Sequence, residues 1–211
     1  MKARGILFKG EMIRALLNVQ PNVWPAQPID ANKPWKWQTR RTMKPQPSAI
    51  PKETDRVPDS IDPNLWWPSN KAQSMVGMQD CTACGPIEKR EILYAKETFI
   101  PKQSGTIFHA DVDPIEAAGL GGMYGGWKPS IFLPKALARL WFEVVRVRVE
   151  RVNKISEADA QAEGVDYFES HQGTECYRKL WNTINGAGDF EKGPWVWVYD
   201  LKRISKPEGI K

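Results

Sequence analysis

Along the chain, short stretches with regular apolar spacing alternate with two long stretches that have none. Ile6, Leu7 and Phe8 form a strand-sized apolar run, and Met12, Ile13, Leu16 and Leu17 recur at helical spacing, which predicts a strand and then a helix over residues 10–18. Pro21, Pro25, Pro28 and Pro34 exclude regular structure between residues 20 and 34, and order resumes over residues 36–42. Residues 44–90 are rich in Pro, Asn, Asp and Ser with only scattered apolar positions. That stretch is either a surface excursion pinned by Trp66 and Trp67 or a partly mobile segment.

Strand composition returns over residues 92–99, with residues 107–110 as a pairing neighbour across Gly105. The glycine-rich run 119–126 predicts a mobile loop, Ile131, Phe132 and Leu133 a small strand, and Pro134 the start of a short helix. Residues 140–152 carry the clearest strand pattern. Val145, Val147 and Val149 alternate with Arg146, Arg148 and Glu150, predicting a buried apolar face and a solvated charged one. Ser156 with Asp159 three positions on has the form of a helix start, and Gly164 that of a stop. Tyr177, Leu180, Trp181 and Ile184 predict a helix ended by Asn185-Gly186, and residues 195–201 a final aromatic-rich strand. Mainly strands with a few short helices means an α+β fold, a small mixed β-barrel with long irregular insertions at about 19–35 and 44–90.

Composition narrows this picture in three ways. A length of 211 residues fits one core with long insertions, read as a single domain over residues 1–211. No apolar run approaches bilayer length, and Ile6-Leu7-Phe8 is too short for the centre of a signal peptide, so a soluble cytoplasmic protein without membrane contact is expected. Three cysteines are too few and too odd for a secreted disulfide framework. The net charge of +5 makes anionic partners plausible without deciding on nucleic acid, and the ten tryptophans can be core filler or platforms for stacking bases.

Several separated motifs share one pattern. Ile6-Leu7-Phe8, Met12-Ile13-Arg14-Ala15-Leu16-Leu17 and Lys36-Trp37-Gln38-Thr39-Arg40-Arg41 are followed by Leu93-Tyr94-Ala95-Lys96-Glu97-Thr98-Phe99. Trp127-Lys128-Pro129-Ser130-Ile131 comes next, then Val147-Arg148-Val149-Glu150-Arg151, Ile155-Ser156-Glu157-Ala158-Asp159-Ala160, Glu163-Gly164 and Pro194-Trp195-Val196-Trp197-Val198. With these pieces the chain resembles the ASCH-domain proteins, a branch of the PUA-like β-barrel superfamily, and particularly the ASCH-like proteins of bacteriophages and prophages. It departs from that pattern where residues 19–35 separate the helix from the lysine motif, and where Lys96 replaces an arginine. The resemblance implies a PUA-like barrel acting on RNA or a modified nucleoside, in the host cytoplasm if the gene is a phage's.

Some small ASCH proteins are amidohydrolases that deacetylate N4-acetylcytidine with a Lys, Thr and Glu set. The resemblance places that set on Lys36, Thr39 and Glu163. In such chemistry a lysine whose proton affinity is lowered by neighbouring cations can activate a threonine hydroxyl, and a carboxyl group can hold the lysine or protonate the leaving amine. Arg40 and Arg41 are neighbouring cations, and Glu97 is a reserve carboxylate. The alternative is a non-catalytic RNA-binding module in which Arg40 and Arg41 meet phosphates and Trp35 or Trp37 stacks on a base. A ribonuclease ranks third, since His109 and His171 are the only histidines available for acid–base work.

No cofactor is required by any of these readings. Cys81 and Cys84 have the spacing of half a zinc site, but completing it calls for Cys176, His109 or His171, so structural zinc competes with two ordinary thiols in a turn. The glycine run lacks the Lys-Ser/Thr of a phosphate-binding loop. Arg146 and Arg148 read as a solvated sheet face, and Trp127, Trp181, Trp195 and Trp197 as core.

Overall fold

A computed structural model describes residues 3–17, 36–43, 46, 87–165 and 173–209. The insertion at 19–35 and nearly all of 44–90 lie outside the described residues, and with them Trp35, Trp66, Trp67, Cys81, Cys84 and also His171. Among the described residues the chain forms seven strands and four α-helices, an α+β fold with a mainly sheet core and no closed barrel. The chain divides into two compact units. The first comprises Met1–Trp37, Arg90–Glu143 and Lys202–Lys211, the second Gln38–Lys89 and Val144–Leu201.

In the first unit, β1 (Ala3–Leu7) pairs in parallel with β3 (Ile92–Lys96), and β3 pairs antiparallel with the first residues of β6 (Trp141–Arg151). A Cβ at Gly5 would lie 2.6 Å from Lys96 Cε and 2.9 Å from the Tyr94 ring, so a glycine lets these two side chains cross β1. The helix predicted after β1 is α1 (Gly10–Leu17), with Ile13 and Leu16 each 1% exposed. The single strand expected over residues 92–99 is broken at Glu97-Thr98. Phe99 begins β4 (Phe99–Lys102), which pairs antiparallel with β5 (Gly105–Phe108) through a turn where Gly105 has φ of +136°. Ile92, Phe99, Phe108, Leu133, Ala138 and Trp141 close the core of this unit.

The glycine-rich run departs from expectation. Residues 119–123 of it lie in α2 (Pro114–Met123), started by Asp113, whose carboxylate accepts from the amides of Ile115 at 2.8 Å and Glu116 at 2.9 Å. Trp127 then lies on the helix and donates from Nε1 to the Ala117 carbonyl at 2.8 Å. A Cβ at Gly121 would stand 3.2 Å from the indole, so glycine here permits close packing rather than a loop. Ile131 and Phe132, expected in a strand, lie in a single 3-10 turn, Ser130–Phe132.

In the second unit β7 (Trp195–Ile204) neighbours β6 on one side and β2 (Gln38–Thr42), antiparallel, on the other. Trp195, Val196, Trp197, Val198 and Tyr199 are all buried, as expected of a strand covered on both faces. The predicted helices are α3 (Glu157–Ala162) and α4 (Gly173–Asn185). Ser156 Oγ accepts the Asp159 amide to start α3, and Gly164 (φ +75°) and Gly186 (φ +115°) follow the two helix ends. Tyr177 and Trp181 of α4 pack with Val152, Ala160, Val165, Val196 and Val198.

Candidate functional site

Each unit carries a polar constellation built by long-range contacts. In the first, a cleft of about 640 Å³ opens between the start of α1 and the Glu97-Thr98 break. One wall is Phe8, Lys9, Gly10, Glu11, Ile13 and Arg14; the other is Glu97, Thr98, His109, Ala110, Val112 and Pro114, with Ser130 at the edge. Arg14 is buried because its Nη1 donates to the Ala110 carbonyl at 2.9 Å, bracing the two walls. The imidazole of His109 is exposed and packs edge-on against Trp127, 4.7 Å between centroids.

Glu97 is 1% exposed although it lines this cleft. Arg139 holds it as a fork: Nε donates to Oε1 at 3.1 Å and Oε2 at 3.2 Å, and Nη2 to Oε2 at 2.7 Å. The same guanidinium donates to Asp111 at 2.6 and 2.9 Å and lies 4.2 Å from the centroid of the Phe108 ring. Burial pushes the Glu97 carboxyl up and Arg139 draws it back, the outcome lying above the ordinary glutamate range.

Lys36 belongs to this unit. It is 2% exposed, with Nζ 5.8 Å from the centroid of Phe8, the aromatic residue of the cleft wall. Trp37 is half-buried.

The second unit contains Thr39, Arg40, Arg41 and Glu163, and here the residues are arranged differently from the sequence expectation. Side chains alternate along β2, so Gln38 and Arg40 share one face while Thr39 and Arg41 take the other. Glu163 meets Arg40, whose Nη1 donates to it at 3.0 Å, on the face opposite Thr39. Arg40 has a fully buried side chain, also donating to Gln38 at 2.7 Å and Glu150 at 3.1 Å, with Asp159 at 3.4 Å. A phosphate could reach this guanidinium only by displacing a carboxylate already on it. Arg40, expected as an RNA contact, lies within an internal ion-pair network in which three carboxylates, Glu150, Asp159 and Glu163, surround it; Arg41, half-buried, is the arginine on the other face.

Arg148 and Glu150 depart from expectation. Expected on a solvated face, they are 5% and 4% exposed, and it is Val145 that lies open at 38%. Arg148 donates to Glu150 at 2.6 Å, Asp200 at 2.6 Å and Asp159 at 3.0 Å, so the charged face of β6 is covered by its own counter-ions. Burial pushes the Asp159 carboxyl up, but Arg40, the Ser156 hydroxyl and Arg148 outweigh it and hold the group below the ordinary aspartate range. Tyr177, its ring centroid 5.9 Å from Arg40, is pushed well above the usual phenol range by burial and then by Glu163.

Comparison of the chain with protein-family models, with curated proteins and with solved structures found no significant match. Among the described residues no group of three or more His, Cys, Asp or Glu is placed to hold a metal ion, and no helix is long and apolar enough to cross a membrane. The residues that sequence reasoning missed are Phe8, Asp111 and Arg139. Arg139 reads as an ordinary basic residue before a strand, since its partner Glu97 is 42 positions away.

Proposed function

We propose that this chain acts on a modified nucleoside and that the cleft of the first unit takes the base. The cleft carries the reading: about 640 Å³ is the size of a small-molecule site, too small for a folded RNA, and its walls join an aromatic ring, Phe8, to a buried carboxylate, Glu97. An aromatic face with a few fixed polar groups is the general form of nucleobase recognition outside a duplex. Lys36, the first residue of the Lys-x-x-Thr motif, lies against that same ring.

The resemblance to ASCH proteins supports a PUA-like relation for the fold and hydrolysis of an N4-acylated cytidine for the reaction, water and the amide giving cytidine and a carboxylate. It assigns that step to Lys36, Thr39 and Glu163; since Glu163 bonds Arg40 on the face of β2 opposite Thr39, the claim carried to the test is the threonine nucleophile alone. Incubation of the purified protein with N4-acetylcytidine, followed by chromatography for cytidine, is the test. Turnover is expected in the native protein and its loss in Thr39→Ala. No turnover by the native protein, or equal turnover by Thr39→Ala, removes the hydrolase; absence of any nucleoside binding removes the cleft as well.

A further inference from the structure

Resting on the reading of the cleft as a nucleobase site, we infer that Glu97 selects the base by accepting a hydrogen bond from its exocyclic amino group, with Arg139, anchored on Asp111, as the residue that positions it. A carboxylate offers about four acceptor sites. Arg139 occupies those on its own side, through three contacts of 2.7 to 3.2 Å, and a fork of this kind fixes the plane of the carboxylate as well as its place. Arg139 is itself held from two further directions, by Asp111 at 2.6 and 2.9 Å and by the Phe108 ring at 4.2 Å. All of these residues lie in the first unit. A group so constrained, 1% exposed and lining a cleft, presents acceptors in a fixed direction with little rotamer freedom left to lose on binding.

The upward direction of the Glu97 carboxyl says that the arginine does not wholly replace the water this group has given up. A ligand N–H would. Cytosine carries an amino group at its 4-position, and an N4-acylated cytosine keeps one N–H there; uracil carries a carbonyl oxygen at that position, which a carboxylate repels. A site built to hydrogen-bond an N–H rejects the analogue that lacks it, because the buried acceptor is then left without a donor. The cleft should therefore prefer cytidine to uridine by at least about tenfold.

Calorimetric titration of the full chain with cytidine and uridine tests this, using the native protein, Glu97→Gln and Arg139→Lys, with circular dichroism to verify that each is folded. Glu97→Gln keeps the shape and gains an N–H that can meet the uracil oxygen, so it should lose the preference and bind uridine more tightly than the native protein does, a gain that mere structural damage cannot produce. Arg139→Lys keeps the charge without the fork and should weaken cytidine binding and shrink the ratio. Should nucleosides bind with no preference, or with a preference unchanged in Glu97→Gln, the selecting role is overturned while the cleft stands as a nucleoside site. A ratio unchanged in Arg139→Lys overturns the positioning role. If no nucleoside binds the native protein, the reading of the cleft fails and this inference with it.

Discussion

Replacing Arg40 by methionine removes a charge from the inside of the second unit and leaves a side chain of similar reach. The native guanidinium is fully buried, and it bonds Glu163 at 3.0 Å and Glu150 at 3.1 Å, the side chains of both being 5% exposed. Breaking a buried ion pair by taking away one partner costs about 3–5 kcal/mol, most of it the cost of a carboxylate kept from water without its cation. Arg148 still reaches Glu150 and Asp159 in the variant, so the lower end, about 3 kcal/mol, is the expected loss. With a urea dependence of about 2.5 kcal/mol per molar, the unfolding midpoint followed by tryptophan fluorescence should fall by about 1 M. Acid should narrow the difference. Asp159 is held below the ordinary range partly by Arg40, so the native protein has stability that is present above the unfolded aspartate value of about 3.9 and is lost as pH falls through the lower folded value. The variant lacks Arg40's share of that stability, and the gap should close as pH falls below about 4 and through the lower folded value. A loss below about 1 kcal/mol at pH 7 with an unchanged urea slope would refute the buried network, since an exposed, phosphate-facing arginine typically costs no more than about 0.5 kcal/mol.

Three further outcomes follow from local geometry. Burial raises the Glu97 carboxyl against the pull of Arg139, so its folded state holds the proton more tightly than the unfolded one; stability tied to it is present below the unfolded glutamate value of about 4.3 and lost as pH rises through the folded value. The stability of the native protein relative to Glu97→Gln should accordingly grow as pH falls from 7 towards about 4.5, and urea melts at the two pH values that show the reverse trend would exclude the assignment. Asp113→Ala should cost about 1 kcal/mol and speed hydrogen exchange at the Ile115 and Glu116 amides, which lose their acceptor; unchanged exchange there would mean that α2 starts without its cap. Gly164→Ala, forced to a φ of +75°, should lower stability by about 1 kcal/mol in the same urea assay, whereas a neutral result would place this residue outside the left-handed region.

Local signals in the chain were readable one residue type at a time. The period of two through Val145, Val147 and Val149 marks β6, the helical spacing of Ile13 and Leu16 marks α1, and Ser156, Gly164 and Gly186 mark helix ends, because each of these depends on neighbours within a turn or two. The same signals misread the run at 119–126. Glycine there suggests a loop on intrinsic grounds, but the Asp113 cap and the indole of Trp127 against Gly121 make a helix of residues 119–123 and leave the loop to 124–126. The strand expected over residues 92–99 ends at Lys96, and nothing local reveals that the chain breaks at Glu97.

Burial of charge is not written in local sequence. The amino-acid sequence by itself determines which residues can form strands and helices, and it marks Lys36 to Arg41 as a segment rich in chemistry. Only the tertiary structure decides that Arg40 and Arg148 are internal, that Glu163 meets Arg40 and not Thr39, and that Glu97 is gripped by Arg139 at the wall of a cleft. The reason is physical. Periodicity reports the face a side chain takes, but whether that face meets water or a set of counter-ions depends on residues such as Asp159, Glu163 and Asp200, 110 or more positions from β2.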